Sequence, residues 1–457
     1  MKILILGAGQ VGSSVAESLV GEANDITIID SDAEKLRVLQ DRLDLRTVVG
    51  NAAHPSTLER AGIADADMLL AVTQSDEVNL VACKLAASLY NTPTRIARIR
   101  AVDYLNRPEI FEKDIFSVDF SICPEQILTE YIVKLIEFPE ALQVQKFSQG
   151  KASLAAVRAF EGGPLVGQPL SFLRTDMPQV ETRVAAIFRH DRPIIPEGTT
   201  VVEAGDEVFF IAATENIRSV LHELRRMDKP VKRVAIVGGG NIGFRLAKAI
   251  ENDYQVKLIE HNKKACERLA SQLTNTLVLN GDGTDEKLME QEHIGEVDVF
   301  CALTNDDENN IMSALLAKQA GARKVISLIN RSAYVDLLQG GKIDIALSPA
   351  QVTIGSLLAY VRQGDVAAVH SLRRGAAEAL ELVAHGDHDS SRVVGRRIDA
   401  IDLPKGATIG AIVRNHEVVI AHHNTVIEAE DHVIVFVVDK KMVKKVEKLF
   451  QVNLGFF

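Results

Sequence analysis

Three glycines near the start of the chain have the spacing of a phosphate-binding turn. The stretch "ILGAGQVG" places Gly7, Gly9 and Gly12 after the apolar run "KILIL" and before a helical pattern. In a Gly-x-Gly-x-x-Gly motif, the first glycine permits a tight turn, the second lets a phosphate approach the backbone, and the third lets the helix pack on the sheet. Amides at the positive end of that helix attract the phosphate. The predicted phosphate-binding residues are Gly7, Ala8, Gly9, Gln10, Val11 and Gly12.

A carboxylate follows this motif at the distance expected for a ribose contact. Eighteen residues after Gly12, the apolar run "DITIID" ends on Asp30. A carboxylate at that strand end accepts hydrogen bonds from ribose hydroxyls and repels a 2′-phosphate, which favours NAD over NADP. These features recognise adenosine, ribose and phosphate rather than nicotinamide, so the predicted ligands are NAD or NADH and, in the same type of cleft, ATP or ADP. The alternative is that the glycines only permit tight turns.

The same motif occurs a second time. "VGGGNIG" follows the apolar run "RVAIV", and the strand-like "VKLIE" ends on Glu260. Glutamate can bind a ribose as aspartate does, although its longer side chain changes the affinity. We therefore predict a second nucleotide site, formed by Gly238, Gly239, Gly240, Asn241, Ile242, Gly243 and Glu260.

Further polar residues follow apolar runs that we interpret as strands of the same sheets. In an open parallel sheet, ligands bind at the carboxyl ends of the strands. We expect the residues after each fourth strand to flank the ribose or base, and one residue after each third strand to lie near the adenine. The residues after the fourth strands are Thr73 and Gln74 in the first half and Thr304 and Asn305 in the second. The residues after the third strands are Asn51 and Asp282. A simpler interpretation of "SDEVN" and "DDENN" is an N-cap, Ser75 or Asp306, followed by acidic residues that complement the helix dipole.

Two arginines end the run "RIARIR" at residues 95–100. The strand period of two would place Arg98 and Arg100 on one face, where two guanidinium groups could bind di- or triphosphate oxygens. The equivalent positions of the second half hold Ile329 and Arg331, so we predict that the two sites are not equivalent. The alternative is a solvated edge or a salt bridge between subunits.

An internal duplication explains why these residues occur twice. Shifting the sequence by 231 aligns "AVTQSDEVN" with "ALTNDDENN", which share five of nine residues, and a shift near 225 aligns residues 188–212 with 413–437. The earlier part of each half alternates strands with helices, which indicates a parallel sheet covered by helices. The later part has the pattern of a small α+β domain.

The predicted fold class is therefore α/β, with two tandem Rossmann-like, doubly wound parallel-sheet domains, each followed by a small α+β domain. The predicted domains span residues 1–145, 146–228, 229–368 and 369–457. A charged, proline-bearing linker is expected at "MDKPVKR" (227–233), and "HGDHDSS" (385–391) has the composition of an exposed loop.

Composition and charge exclude several classes of protein. The 457 residues are 47% hydrophobic, and 51 Lys and Arg stand against 62 Asp and Glu, a formal net charge of −11. That balance argues against wrapping nucleic acid or lying on an anionic membrane. We find no signal peptide and no apolar run of the length that a membrane span needs, so a membrane role would require a partner.

Neither the cysteines nor the histidines have the spacing of metal ligands. Cys83, Cys123, Cys266 and Cys301 lack a C-x-x-C pair and lie in apolar surroundings, so we predict reduced cysteines in the core. His422 and His423 are adjacent and would point to opposite faces of a strand, and His385 and His388 lie in a polar stretch. No metal site and no catalytic residues are predicted.

Taken together, these motifs resemble the family of peripheral regulators of Trk-type potassium uptake, which carry two tandem regulator-of-potassium-conductance (RCK) units. The resemblance covers nearly the whole chain and also includes "IIDSDAEKL", "GGPLVG", "VAAIFRHDRPIIP", "VEAGDEVFFIA" and "TNDDENNIMSALLAK". It implies a cytosolic homotetrameric ring on the cytoplasmic face of the inner membrane, bound to a Trk-type potassium channel subunit. It also implies binding of NAD, NADH, ATP or ADP, and gating of ion flow without catalysis.

Two other functions would each need residues that this sequence does not show. An NAD-dependent oxidoreductase needs a positioned acid or base and a substrate domain, and no convergent group of His, Lys and carboxylate residues is evident. A DNA-binding regulator needs a basic recognition helix, which neither the net charge nor a helix-turn-helix pattern supports.

Overall fold

The computed structural model describes residues 1–20, 24–173, 181–190, 192–224, 230–331, 334, 338, 342–362, 366–373 and 376–452. Residues 227–229 of the predicted linker lie outside the described residues, as do residues 225 and 226 just before it.

The first half opens with a six-stranded parallel sheet of order β3-β2-β1-β4-β5-β6. Runs such as "KILIL" are buried on both faces, as is typical of central parallel strands. The strands are β1 (Lys2–Leu6), β2 (Asp25–Asp30), β3 (Arg46–Val49), β4 (Met68–Ala71), β5 (Thr94–Arg98) and β6 (Phe120–Ile122). The helices are α1 (Gln10–Val20), α2 (Ala33–Gln40), α3 (Pro55–Ala61), α4 (Asp76–Tyr90), α5 (Val102–Leu105) and α6 (Pro124–Glu137).

An antiparallel sheet follows, with the order β10-β9-β11-β8-β7. Its strands are β7 (Ala141–Phe147), β8 (Ala152–Arg158), β9 (Thr182–Arg189), β10 (Arg192–Ile194) and β11 (Glu207–Ala213), and it is followed by helix α7 (Thr214–Leu224).

The second half repeats both sheets in the same strand order. Its parallel sheet has the order β14-β13-β12-β15-β16-β17 and its antiparallel sheet the order β18-β19-β22-β20-β21. The strands are β12 (Arg233–Val237), β13 (Gln255–Glu260), β14 (Thr276–Asn280), β15 (Val299–Ala302), β16 (Lys324–Leu328), β17 (Ile345–Leu347), β18 (Val366–Leu372), β19 (Ala377–Val383), β20 (Ala407–Arg414), β21 (Glu417–Ile420) and β22 (His432–Val437). The helices are α8 (Asn241–Ile250), α9 (Lys263–Gln272), α10 (Glu286–Gln291), α11 (Asp307–Ala320), α12 (Pro349–Val361) and α13 (Val443–Phe450). The predicted fold class is confirmed.

The two halves exchange the helix that follows each parallel sheet. Leu128, Ile132 and Leu135 of α6 share a core with the second parallel sheet and α8. Leu357 and Leu358 of α12 share a core with the first parallel sheet and α1. Each of these helices thus covers the sheet of the other half and then continues into the antiparallel sheet of its own half.

The two antiparallel sheets also pack on each other through an aromatic cluster. The ring of Phe209 lies 5.7 Å from that of Phe188 and 5.3 Å from that of Phe436, measured between centroids. Residues of both sheets contribute to this one core. The halves are therefore joined at two levels, through the exchanged helices and through the antiparallel sheets.

The predicted core positions of the cysteines are confirmed, since all four are buried, and none of them is paired. Burial raises the pKa of the Cys83 and Cys301 thiols to about 12. Across the described ranges, no three His, Cys, Asp or Glu side chains come close enough together to hold a metal ion.

No helix in the described part of the chain has both the length and the apolar character needed to cross a membrane.

Candidate functional site

The first glycine motif forms the loop between β1 and α1. Gly7 has a φ of +103° and its amide donates to the oxygen of Ile29 at 2.7 Å, which closes the turn against β2. A Cβ on Gly12 would lie 1.9 Å from the oxygen of Gly7, so only glycine allows α1 to start here. The loop and the first turn of α1 hold the residues predicted to bind phosphate.

Asp30 connects the end of β2 to this loop. Its Oδ2 accepts the amide of Ala8 at 2.6 Å and its Oδ1 accepts the amide of Asp32 at 2.8 Å. Each carboxylate oxygen has a further lone pair. The side chain therefore supports the loop and can also accept a hydrogen bond from a ribose hydroxyl.

The second motif has the same geometry between β12 and α8. Gly238 has a φ of +99°, and a Cβ on Gly243 would again lie 1.9 Å from the oxygen of Gly238. The Oε2 of Glu260 accepts the amide of Gly239 at 2.8 Å, so glutamate makes the bond that aspartate makes in the first half. Its Oε1 lies 3.1 Å from Nδ1 of His261. The position that corresponds to His261 is Ser31 in the first half, which makes the two clefts chemically different.

The second cleft encloses a cavity of about 390 Å³. The structure brings several predicted residues together in its wall: Gly238, Gly240, Glu260, Asp282, Thr304 and Asn305. Sequence reasoning missed other wall residues, among them His261, Gly283, Thr284, Asn309 and Ser313. Gly239, Asn241, Ile242 and Gly243 form the loop and the start of α8 beside this cavity.

The middle glycine of each motif faces open space. A Cβ built on Gly9 or on Gly240 would have no heavy atom of the protein within 4 Å, and neither residue has a positive φ. The fold alone therefore does not require glycine at these two positions. Each lies just before the helix, where main-chain amides are directed at an approaching anion.

Thr73 and Thr304 are each held by a buried asparagine that sequence reasoning missed. Asn79 Oδ1 accepts from the amide and the hydroxyl of Thr73, at 3.0 and 2.7 Å, and its Nδ2 donates to the oxygen of Arg98 at 2.8 Å. Asn310 makes the same bonds to Thr304 and to the oxygen of Leu328. Both asparagines are fully buried. They fix the ends of neighbouring strands, and their signal in the sequence was the shared final asparagine of "SDEVN" and "DDENN".

The expected N-caps are present, and the first acidic residue of each helix does more than complement the dipole. Ser75 Oγ accepts the amide of Val78, and Asp306 accepts that of Asn309. Asp76, which is 6% exposed, accepts the amides of Arg100 and Ala101, both at 2.8 Å. Asp307 accepts those of Asn330 and Arg331 in the same way. These aspartates bind the loop that follows the fifth strand of each parallel sheet.

The residues after each third strand are at the edge of the clefts. Asn51 Oδ1 accepts the amide of Ala53 at 2.9 Å. Asp282 Oδ1 accepts both the amide and the hydroxyl of Thr284, each at 2.8 Å, and these bonds lower the pKa of its carboxyl. Both side chains stabilise tight turns and remain exposed, so each has lone pairs available to a ligand.

The two arginines of the first half differ from the sequence expectation. Strand β5 ends at Arg98, so Arg100 lies beyond it and the two do not share a strand face. Arg98 pairs with Glu125 of α6 at 2.8 Å, with side chains only 16% and 14% exposed. The guanidinium of Arg100 donates to the oxygen of Gln74 and lies 3.6 Å from Asp76. Both arginines are therefore already engaged with groups of the protein, each through part of its guanidinium. In the second half Ile329 is buried, and Arg331 pairs with Glu308 at 2.7 Å.

Comparison with known families matches both halves of the chain. Residues 3–121 and 234–349 match the TrkA-N domain, and residues 154–225 and 387–451 match the TrkA-C domain. The chain is 59% identical over 457 residues to the Trk system potassium uptake protein TrkA of Halomonas elongata, covering 100% of both. It is 59% identical over 452 residues to the protein of the same name from Vibrio alginolyticus, covering 99% of both.

Among solved structures, the chain is similar in fold to the RCK domain of GsuK. The TM-score is 0.62 at 17% identity, over 98% of this chain and 94% of that one. The GsuK channel bound to NAD gives a TM-score of 0.62 at 16% identity, over 98% of this chain and 78% of that one. At these identities the likeness concerns the fold, two parallel-sheet units each followed by an antiparallel one.

Proposed function

We infer the function from one premise: the chain belongs to the TrkA family of Trk system potassium uptake proteins. We propose that it is the peripheral, nucleotide-binding regulatory subunit of such a system. In this proposal it gates a membrane potassium channel subunit of the Trk type through conformational changes that nucleotides drive.

The open space at Gly9 and Gly240 carries the proposal. Glycine is present there although the fold itself has room for a side chain, and in both cases the space lies at the start of a helix. A phosphate that packs against the backbone would use that space and would be stabilised by the helix amides. A purely structural role accounts for Gly7 and Gly12 but leaves Gly9 unexplained.

The proposed ligands are NAD or NADH and ATP or ADP. In this proposal the Asp30 and Glu260 carboxylates, at strand ends, accept ribose hydroxyls, while Thr73, Gln74 and their counterparts flank the ribose or base. The structure of the GsuK channel bound to NAD supports a dinucleotide in this fold. Because His261 replaces Ser31, we expect the two clefts to rank the nucleotides differently.

The exchanged helices provide a route from the clefts to the antiparallel domains. Helix α1 starts at the first phosphate loop, and its Val15 and Leu19 share a core with Leu358 of α12. Helix α12 precedes β18, the first strand of the antiparallel sheet of the second half. A nucleotide that moves α1 therefore acts on α12, and it shifts the assembly by its differential affinity for the two arrangements. The equivalent route on the other side runs from α8 to α6.

We further propose that four copies form a ring beneath the channel subunit, on the cytoplasmic face of the inner membrane. A closed ring of identical clefts sharpens the response to a ligand, since several sites bias the same equilibrium. The expected mass of the assembly is near 200 kDa, four times the chain mass of 49.9 kDa. Light scattering coupled to size-exclusion chromatography measures it directly.

Isothermal titration of the purified protein with NADH, NAD, ATP and ADP tests nucleotide binding. The wild type is compared with Asp30→Ala and Glu260→Ala, and the nucleotides are checked afterwards for chemical change. We expect Asp30→Ala to lose nucleotide binding at the first cleft and Glu260→Ala to lose it at the second. The cleft that still binds in one variant should prefer a different nucleotide from the cleft that still binds in the other. Absence of binding would refute the proposal, and steady consumption of NADH would indicate an NAD-dependent oxidoreductase instead.

Potassium flux tests the gating step. Vesicles that contain the Trk-type membrane subunit are assayed with and without this chain, at saturating concentrations of each nucleotide. We expect a flux that depends on both the chain and the nucleotide. Nucleotide binding without any effect on potassium flux would support the nucleotide sites but contradict the proposed gating.

A further inference from the structure

A hydrogen bond joins the second nucleotide cleft to the first. Arg245 lies on α8 in the second half, and its Nη2 donates to the main-chain oxygen of Arg100, in the first half, at 3.0 Å. The two residues are separated by 145 positions in the chain. The Arg245 side chain is half-buried, so the bond lies inside the junction between the halves and is partly protected from solvent.

The donor is one helical turn from the second phosphate loop. Helix α8 begins at Asn241, directly after Gly240, which faces the open space of the second cleft. The first amides of α8 are the groups predicted to hold a phosphate. A small change in the position of this helix start therefore moves Arg245 with it, because one turn of helix is rigid.

The acceptor belongs to the rim of the first cleft. The amide of Arg100 donates to Asp76, and its guanidinium donates to the oxygen of Gln74, the residue predicted to flank the ribose or base. Two residues earlier, the oxygen of Arg98 accepts from Asn79, which also holds Thr73. The backbone at residues 98–101 is therefore hydrogen-bonded to Asp76 and Asn79, and Asn79 also holds Thr73 of the first cleft.

Among the residues that the structure describes, this connection is present on one side. The position equivalent to Arg245 in the first half is Ser14, on α1, and the position equivalent to Arg100 is Arg331. Serine lacks the length of an arginine side chain and cannot make the same contact. The arginine link therefore runs from α8 to the rim of the first cleft, without a counterpart from α1.

We propose that Arg245 is a positioning residue that couples the two clefts, so that a nucleotide in the second cleft tightens nucleotide binding in the first. The inference rests on the proposed function. A ligand that orders the start of α8 also orders the Arg100 segment, so the first cleft loses less conformational freedom when it binds. Linkage requires the reverse effect to have the same size.

The test measures a coupling factor with NADH and with ADP as probes. Titration of Glu260→Ala gives the affinity of the first cleft alone, and titration of Asp30→Ala gives that of the second. The overall affinity for filling both clefts of the wild type, divided by the product of these two, is the coupling factor. We expect a factor of about fivefold or more, the lower end of measured couplings between sites.

The same three titrations are then repeated with Arg245→Met, which removes the donor and retains an unbranched side chain of similar length. We expect the coupling factor to fall to about one while each single-cleft affinity changes less than about twofold, since Arg245 is outside both clefts. Lys248→Met is the matched control, because Lys248 is on the same helix and bonds within its own half, to Glu251. Arg245→Lys retains the charge and serves as a second variant if the methionine variant is poorly folded.

The outcomes are distinguishable. A wild-type factor of one, with both clefts binding, overturns the coupling and leaves the proposed function intact. A factor that persists in Arg245→Met overturns the role of Arg245. No binding to Asp30→Ala means that the second cleft is not a nucleotide site, which overturns both the proposed function of that cleft and the coupling.

Discussion

The ammonium group of Lys324, in the second parallel sheet, lies 2.9 Å from the main-chain oxygen of Ala141, in the first half. It also donates to the oxygens of Leu135 and Pro139, at 3.3 and 3.0 Å. Lys324 is only 7% exposed. These oxygens lie at and just beyond the carboxyl end of α6, where a cation is favourable. A buried charge thus fixes the exchanged helix of one half to the sheet of the other.

Lys324→Met should destabilise the folded protein by about 2 to 4 kcal/mol, because it leaves several buried carbonyl oxygens without a donor. The loss should appear as an earlier urea midpoint, measured by circular dichroism.

Lys263→Met is the control, since Lys263 is exposed on α9 of the same parallel-sheet domain. Equal midpoints for both variants would show that the Lys324 contacts do not stabilise the junction.

The glycines of the first motif should respond differently to alanine. Gly9→Ala should leave the melting temperature within a few degrees of wild type, since its Cβ meets no protein atom, but should weaken nucleotide binding at the first cleft at least tenfold. Gly12→Ala should damage the fold itself, because its Cβ would lie 1.9 Å from the oxygen of Gly7. Thermal unfolding and isothermal titration separate the two effects. Normal nucleotide affinity in Gly9→Ala would remove the main support for a phosphate at this loop.

Much of the fold could be predicted because its signals are local. The glycine motifs, the apolar runs that end on Asp30 and Glu260, and the alternation of strands and helices each depend on neighbouring residues. The duplication added a second copy of every signal. The domain boundaries near 145, 228 and 370 stay predictions, as do the ligand contacts of the individual site residues.

The exchange of α6 and α12 could not be predicted from the same patterns. The apolar face of α6, with Leu128 and Ile132, indicates that the helix is covered, but both parallel sheets offer similar apolar surfaces. The choice between them depends on contacts distant in sequence, such as that of Lys324 with Ala141. The pairing of Arg98 with Glu125 was also missed, since the two residues are 27 positions apart in the chain.

Each buried asparagine should affect nucleotide binding only at the cleft of its own half. Asn79→Ala removes the partner of the Thr73 amide and of the Arg98 oxygen, so we expect a loss of about 2 kcal/mol in stability and weaker nucleotide binding at the first cleft. Asn310→Ala should do the same at the second cleft. Each variant is the control for the other in isothermal titration, combined with urea unfolding. If either variant weakened nucleotide binding equally at both clefts, the asparagines would act on the whole fold rather than on the cleft of their own half.

A half-buried histidine at the junction should make stability depend on pH. The Nε2 of His370, on β18, lies 3.1 Å from the main-chain oxygen of Lys146, on β7, and its ring packs edge-on against Phe147. Burial lowers the pKa of His370 to about 4, and the nearby charge of Lys134 acts in the same direction. The imidazole is therefore neutral in the folded protein at pH 7, with Nε2 as the donor.

Stability should fall as the pH falls from about 6.5 to 4, because the unfolded chain takes up a proton on His370 in this range and the folded chain does not. At pH 5 the expected loss is about 2 kcal/mol relative to pH 7. His370→Gln retains a donor for the Lys146 oxygen and has no titrating group, so its urea midpoint should decrease less between pH 7 and pH 5 than that of the wild type. His388→Gln, in an exposed loop, should follow the wild type. Identical pH dependence in His370→Gln and the wild type would mean that this ring is not what makes the junction sensitive to acid.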